Sequence, residues 1–119
     1  MRLKYSYEVK KRKITIELAT EGFTEKESKA LNMLGEPLVE FQKTYPGGFT
    51  ISLSKKLRSE FRTRVKIDGT ENIELANAAG NEFLGDIQEL LHDKMEALIE
   101  SYEEQIFPPK TASVELTHF

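Results

Sequence analysis

The sequence predicts an α+β domain: an antiparallel sheet of four to five strands built from hairpins, packed on one face by two helices. Apolar residues alternate with polar ones in several short runs that occur in pairs, which is typical of β-hairpins. Near the C-terminus apolar residues instead recur at three and four positions over a long segment, which is typical of an amphipathic helix. The predicted order is ββαββ(β)α, with a possible additional edge strand at the C-terminus.

Composition limits the class of protein. The chain has 119 residues, of which 39% are hydrophobic and 31% charged, and this predicts one folded domain over residues 1–119. With no cysteine, disulfides, thiolate zinc sites and cysteine nucleophiles are excluded. The first residues lack the apolar stretch of a signal peptide, and no apolar run reaches membrane-spanning length. We therefore expect a cytoplasmic protein without a membrane partner.

The charge is segregated along the chain. The formal net charge is −3, yet residues 1–66 carry +7 and residues 67–119 carry −10. The positive charge lies in the predicted hairpins and the negative charge in the predicted C-terminal helix. Such asymmetry between two halves often marks a surface that binds a partner.

The first hairpin is predicted from a change of parity. Apolar residues occupy odd positions up to Val9 and even positions from Ile14, and one strand cannot change parity without a bulge. A turn at Lys11-Arg12 solves this, because it places Val9 opposite Ile14. The same register sets Tyr7 opposite Ile16 and Tyr5 opposite Leu18.

A kinked first helix is predicted next. Thr24 and Glu27 have the spacing of a capping box. The apolar residues that follow at three and four positions are Leu31, Leu34, Leu38, Phe41 and Tyr45. Pro37 lies within this stripe and predicts a kink rather than an end, because the stripe keeps its phase across the proline.

Two further strands are predicted around Phe49–Leu53 and Phe61–Ile67. Asp68-Gly69 then indicates a turn, and Ile73 and Leu75 indicate a short fifth strand that places Glu74 opposite Lys66. The alternative is that the last helix already begins at Thr70.

The C-terminal helix is the strongest signal in the sequence. It is predicted from about Asn77 to Ile106, with Pro108-Pro109 ending it and an alternating tail over residues 113–117. One face is apolar and the other carries eight carboxylates. The apolar face offers a dimer seam, whose residues are Leu84, Ile87, Leu91, Met95, Leu98 and Tyr102. The acidic face offers contacts to a basic protein partner through Glu89, Asp93, Glu96 and Glu100.

Basic residues in the hairpins are candidate contacts to a phosphate backbone. They are Lys10, Lys11, Arg12, Lys13, Lys55, Lys56, Arg58, Arg62, Arg64 and Lys66. The last four have even numbers, so we expect them on one face of their strand. The outward faces lack an aromatic side chain on which a base could stack.

No catalytic or metal constellation emerges. The sequence contains neither a nucleophile-elbow motif nor a phosphate-binding glycine loop. Glu89 and His92 have the spacing of di-iron ligands, but they lie on the polar helix face and lack the companion ligands. We expect no enzyme activity, no cofactor and no metal.

The sequence thus favours a non-catalytic protein-interaction or accessory module that self-associates, as a homodimer, through its long helix. Two alternatives remain. One is a nucleic-acid-binding protein that uses the basic hairpins, and the other is an acidic inhibitor or nucleic-acid mimic that acts through the C-terminal helix.

Overall fold

The computed structural model describes residues 1–67 and 72–106. Its elements are β1 (Arg2–Lys10), β2 (Lys13–Glu21), α1 (Glu25–Leu34), β3 (Leu38–Tyr45), β4 (Phe49–Lys56), β5 (Arg62–Ile67) and α2 (Ile73–Ile106). The α+β class and the order ββαβββα confirm the prediction. The expected turn at Asp68-Gly69, the end of the helix at Pro108-Pro109 and the strand over residues 113–117 lie outside the described residues.

The five strands form two antiparallel sheets rather than one. The three-stranded sheet has the order β1-β2-β5, and the two-stranded sheet pairs β3 with β4. In the first hairpin, Val9 lies opposite Ile14, Tyr7 opposite Ile16 and Tyr5 opposite Leu18, as predicted. Lys11 takes a positive φ of 53° in the two-residue loop, where the favoured hairpin turns require left-handed backbone.

The predicted kinked helix is wrong in its second half. Its start is right, because Thr24 caps α1 and forms the capping box with Glu27. The helix then ends at Gly35, whose N–H donates to the carbonyl of Leu31 and whose φ is 89°. Pro37 lacks an N–H and disfavours helical backbone in the residue before it, so the chain leaves the helix and becomes β3.

The predicted fifth strand at Ile73 and Leu75 is also wrong, because both residues belong to the first turn of α2. Asn72 caps this turn: its Oδ1 accepts from the N–H of Leu75 at 3.1 Å. Ile67 pairs instead with Ile14 of β2, and Lys66 lies opposite Thr15 rather than Glu74. The fifth strand of the fold is β3.

The core lies between α2 and the two sheets. Ile14, Ile16 and Leu18 of the central strand β2 are fully buried, as are Phe83, Ile87 and Leu91 of α2. On one side of α2, Gly80 lies close to the three-stranded sheet. On the other, the rings of Phe83 and Phe41 are 5.6 Å apart in an edge-to-face arrangement. α1 packs against the C-terminal half of α2, where Lys26 and Glu103 form a 3.5 Å ion pair.

Candidate functional site

The outer face of the three-stranded sheet carries rows of cations. Arg62, Arg64 and Lys66 are exposed on β5, and the register places them beside Ala19, Glu17 and Thr15 of β2. The even-numbered residues of β1 complete these rows, with Lys4 beside Ala19. The prediction that Arg62, Arg64 and Lys66 share one face is therefore confirmed. Arg58 differs, because it lies in the loop before β5.

Some of these cations are already paired. Arg64 contacts Glu17 at 2.6 Å, Arg2 contacts Glu21 at 3.5 Å, and Lys10 contacts Glu8 at 3.4 Å. Within residues 1–67 and 72–106, no carboxylate lies within 4.0 Å of the ammonium or guanidinium groups of Lys4, Arg62 and Lys66. The face thus keeps a positive excess at its two ends.

A groove joins this face to the two-stranded sheet, and we call it the basic groove. Its cationic lining residues are Lys4, Lys55, Lys56, Arg58 and Arg62. Its carboxylates are Glu21 and Glu60, and Ser54, Ser59 and the half-exposed Leu38 complete much of the wall. Lys4, Glu21 and Glu60 were not among the predicted contacts, because only the tertiary fold brings them to Lys55 and Lys56.

The ten predicted phosphate contacts therefore fall into three groups, one of which is Arg64 and Lys66 on the outer face of β5. Lys55, Lys56, Arg58 and Arg62 meet at the basic groove. Lys10, Lys11, Arg12 and Lys13 form the tip of the first hairpin, at the other end of the sheet. Six residues of strand separate Lys4 in the groove from Lys10 at the tip, a distance of about 20 Å.

The predicted dimer seam on α2 is largely occupied by the chain itself. Leu84, Ile87, Leu91 and Met95 are buried in the core, and each is at most 8% exposed. Leu98 and Tyr102 are half-buried. In this fold, a seam on α2 could use only the C-terminal end of the stripe.

The acidic residues of α2 lie on the opposite side of the helix from the core. Glu89, Asp93, Glu96 and Glu100 are all exposed and remain a linear array, with His92 and Glu96 forming a 3.1 Å pair. Asp86 differs from them because it faces the two-stranded sheet, where it contacts Tyr45 and Lys43. Glu89, at one end of the acidic array, lines the same cavity as Arg2 of β1.

Two features are absent from the described part of the chain. No three side chains of the metal-ligating types cluster within it. None of its helices combines the length and the apolar character needed to span a bilayer.

Comparison with known proteins adds no relative. No family model, no curated protein and no solved structure matches the chain.

Proposed function

We propose that the chain is a non-catalytic interaction module that self-associates, and that the edge of β1 rather than α2 joins the two copies. The single observation that carries this proposal is the exposed backbone edge of β1. This nine-residue strand is at the outside of its sheet, with β2 as its one strand neighbour among the described residues. An unpaired strand edge offers a row of backbone donors and acceptors to another strand.

The apolar side chains of β1 support this assignment. Tyr5 and Val9 lie on the same face as Ile14, Ile16 and Leu18, yet each is 54% exposed, whereas those three β2 residues are almost fully buried. The core of a single copy partly buries Leu3 and Tyr7 on this face of β1 but leaves Tyr5 and Val9 exposed. A second copy beside β1 would extend the sheet and cover both side chains.

The strand is also complementary to itself. In an antiparallel pair of β1 strands with the two-fold axis at Ser6, the midpoint of Arg2–Lys10, Lys4 lies opposite Glu8 of the second copy. Because of the symmetry, this opposite-charge pair forms twice. Leu3 then lies opposite Val9 of the second copy, and Tyr5 opposite Tyr7 of the second copy.

The ends of this register place Arg2 near Lys10 of the second copy. Each cation has a carboxylate close by in its own chain: Arg2 contacts Glu21, and Lys10 contacts Glu8, which in this register lies between Lys10 and Lys4 of the second copy. The repulsion at the ends is therefore reduced, and the two central charge pairs decide the register.

The absence of cysteine is consistent with the cytoplasm, which we keep as the expected compartment.

A charge swap tests the proposal. Lys4→Glu or Glu8→Lys alone turns both attractive pairs into repulsive ones, which costs about 1–2 kcal/mol and weakens the dimer about tenfold. The double variant restores opposite charges and should restore the dimer. Sedimentation equilibrium measures each dissociation constant, and Lys13→Glu on β2 is the control with the same charge change as Lys4→Glu.

Three results would contradict the proposal. The first is a wild-type chain that stays monomeric at the highest soluble concentration. The second is a double variant as weak as the single variants. The third is dissociation by Leu98→Ser and Tyr102→Ser together but not by Lys4→Glu, which would assign the contact to the end of α2 instead.

A further inference from the structure

We infer that the basic groove binds the phosphate backbone of a nucleic-acid duplex. Lys4 belongs both to this groove and to β1, but the experiment below changes only Lys55, Lys56 and Arg62, which lie outside β1, so it tests this inference separately from self-association. The groove collects cations from three separate parts of the chain: Lys4 from β1, Lys55 and Lys56 from the end of β4, and Arg58 and Arg62 from the loop and start of β5. Such a concave cationic surface concentrates the positive potential that attracts a polyanion.

Glu21 and Glu60 also line the groove, but within the described part of the chain four of its five cations form no ion pair. Arg58 is the exception, because its Nε lies 3.2 Å from Glu36. Among residues 1–67 and 72–106, no carboxylate lies within 4.0 Å of the charged groups of Lys55, Lys56 or Arg62. All three side chains are exposed, so they can reach a ligand without leaving an ion pair.

The groups in the groove match the chemistry of a phosphodiester. Guanidinium and ammonium groups donate charge-assisted hydrogen bonds to phosphate oxygens, and hydroxyl groups such as those of Ser54 and Ser59 add neutral donors. The groove is open and continues onto the outer sheet face, where Lys66 lies four residues beyond Arg62, or about 13 Å. A rigid polyanion longer than the groove could therefore contact both positions.

The outer face favours a duplex over a single strand. Its residues on β1, β2 and β5 are charged, small or hydroxyl-bearing, and none is aromatic. Phe61 lines the groove but is only 2% exposed, so a base cannot stack on it. Single-strand binding depends on such stacking, whereas a duplex presents phosphates on its outside. Recognition of this kind is independent of base sequence.

The experiment measures fluorescence anisotropy of a labelled 24-base-pair DNA duplex, at several salt concentrations from 50 to 200 mM NaCl. We expect binding that weakens steeply with salt. In the triple variant Lys55→Gln, Lys56→Gln, Arg62→Gln, the magnitude of the slope of log K against log salt should fall by about 0.9 per contact, or about 2.7 in all. The matched control is Lys26→Gln, Lys29→Gln, Lys94→Gln, which removes the same charge from the helices and should bind like the wild type.

Further probes separate the alternatives. A duplex RNA of the same length should also bind, because the contacts are to phosphates, and a single strand should bind more weakly. The inference is overturned by any of three results: no duplex bound at 50 mM NaCl, a triple variant that binds like the control, or polyglutamate that competes as well as the duplex does. Sedimentation of the triple variant shows whether dimerisation is retained, so failure here is distinguishable from failure of the β1 contact.

Discussion

The phenol of Tyr45 donates a 2.8 Å hydrogen bond to Oδ2 of Asp86, and this bond joins the two-stranded sheet to α2. The same oxygen accepts a 3.1 Å bond from Nζ of Lys43. Tyr45 is only 2% exposed. Burial raises the pKa of Tyr45 above its ordinary value, and the bond to Asp86 raises it further. In turn, the bond from Tyr45 lowers the pKa of Asp86, although the partial burial of Asp86 acts in the opposite direction.

Tyr45→Phe removes this bond while keeping the ring. We expect the free energy of unfolding to fall by about 1.5 kcal/mol, near the lower end for a bond to a charged group, because Asp86 keeps Lys43 and partial access to water. Tyr7→Phe is the matched comparison, since its hydroxyl donates to the neutral Oδ1 of Asn81 at 3.0 Å and should cost about 0.5 kcal/mol. Urea unfolding of both variants measures the difference, and equal losses would contradict the role of the Asp86 charge.

The raised pKa of Tyr45 also gives a pH dependence. The folded state holds the phenol protonated, whereas an unfolded tyrosine ionises near its ordinary pKa of 10.0. The stability that this group contributes is therefore fully present below pH 10 and is lost as the pH rises towards the folded-state pKa. The difference in stability between the wild type and Tyr45→Phe should shrink over that range.

The first hairpin could be predicted from sequence down to its register. The change of parity between Val9 and Ile14 requires a turn between them, and a two-residue loop then leaves one pairing that puts all apolar residues on one face. The pattern that determines this register lies within the hairpin itself, so no contact with a distant part of the chain is needed to predict it. The self-complementarity of β1 likewise follows from its own residues once β1 is known to be an outer strand.

The segment Leu38–Tyr45 could not be assigned in this way, because two periods coincide there. Leu38, Phe41 and Tyr45 fit the spacing of a helix, whereas Val39, Phe41 and Tyr45 fit that of a strand. Gly35 and Pro37 were the decisive cues, since together they end α1. The pairing of β5 with β2 has no local signal at all, and the basic groove depends on it because it brings Arg62 to Ala19 and Lys4.

The contacts of Glu27 should make the free energy of unfolding decrease at acid pH. Its Oε1 accepts from the N–H of Thr24 at 2.8 Å and lies 2.9 Å from the N-terminal ammonium of Met1, in a residue only 8% exposed. Burial alone would raise the pKa of Glu27, but the bonds from Thr24 and the ammonium outweigh it and lower that pKa. The stability from this group is therefore present above the ordinary pKa of 4.5 and is lost as the pH falls through the folded-state value.

Glu27→Gln tests this account. At pH 7 we expect the variant to be about 1–2 kcal/mol less stable than the wild type, because the amide cannot attract the ammonium. At pH 3 the difference should be smaller. Glu25→Gln is the control in the same helical turn, since that side chain is 83% exposed and its ion pair is with the exposed Lys29. Denaturant unfolding at both pH values measures the effect, and a difference that does not change with pH would contradict it.

The two glycines within α2 should respond differently to the same substitution. Alanine is favoured over glycine inside a helix by about 1 kcal/mol. A β-carbon at Gly85 would meet no atom within 4 Å, so Gly85→Ala should raise the free energy of unfolding by nearly that amount. At Gly80 the β-carbon would lie 3.1 Å from the hydroxyl of Tyr7 and 3.4 Å from Cδ1 of Ile16, where α2 approaches the three-stranded sheet. Gly80→Ala should therefore raise the free energy of unfolding much less than Gly85→Ala does, or lower it. Urea unfolding distinguishes the two variants, and equal stabilisation by both would mean that α2 does not pack this closely against β1 and β2.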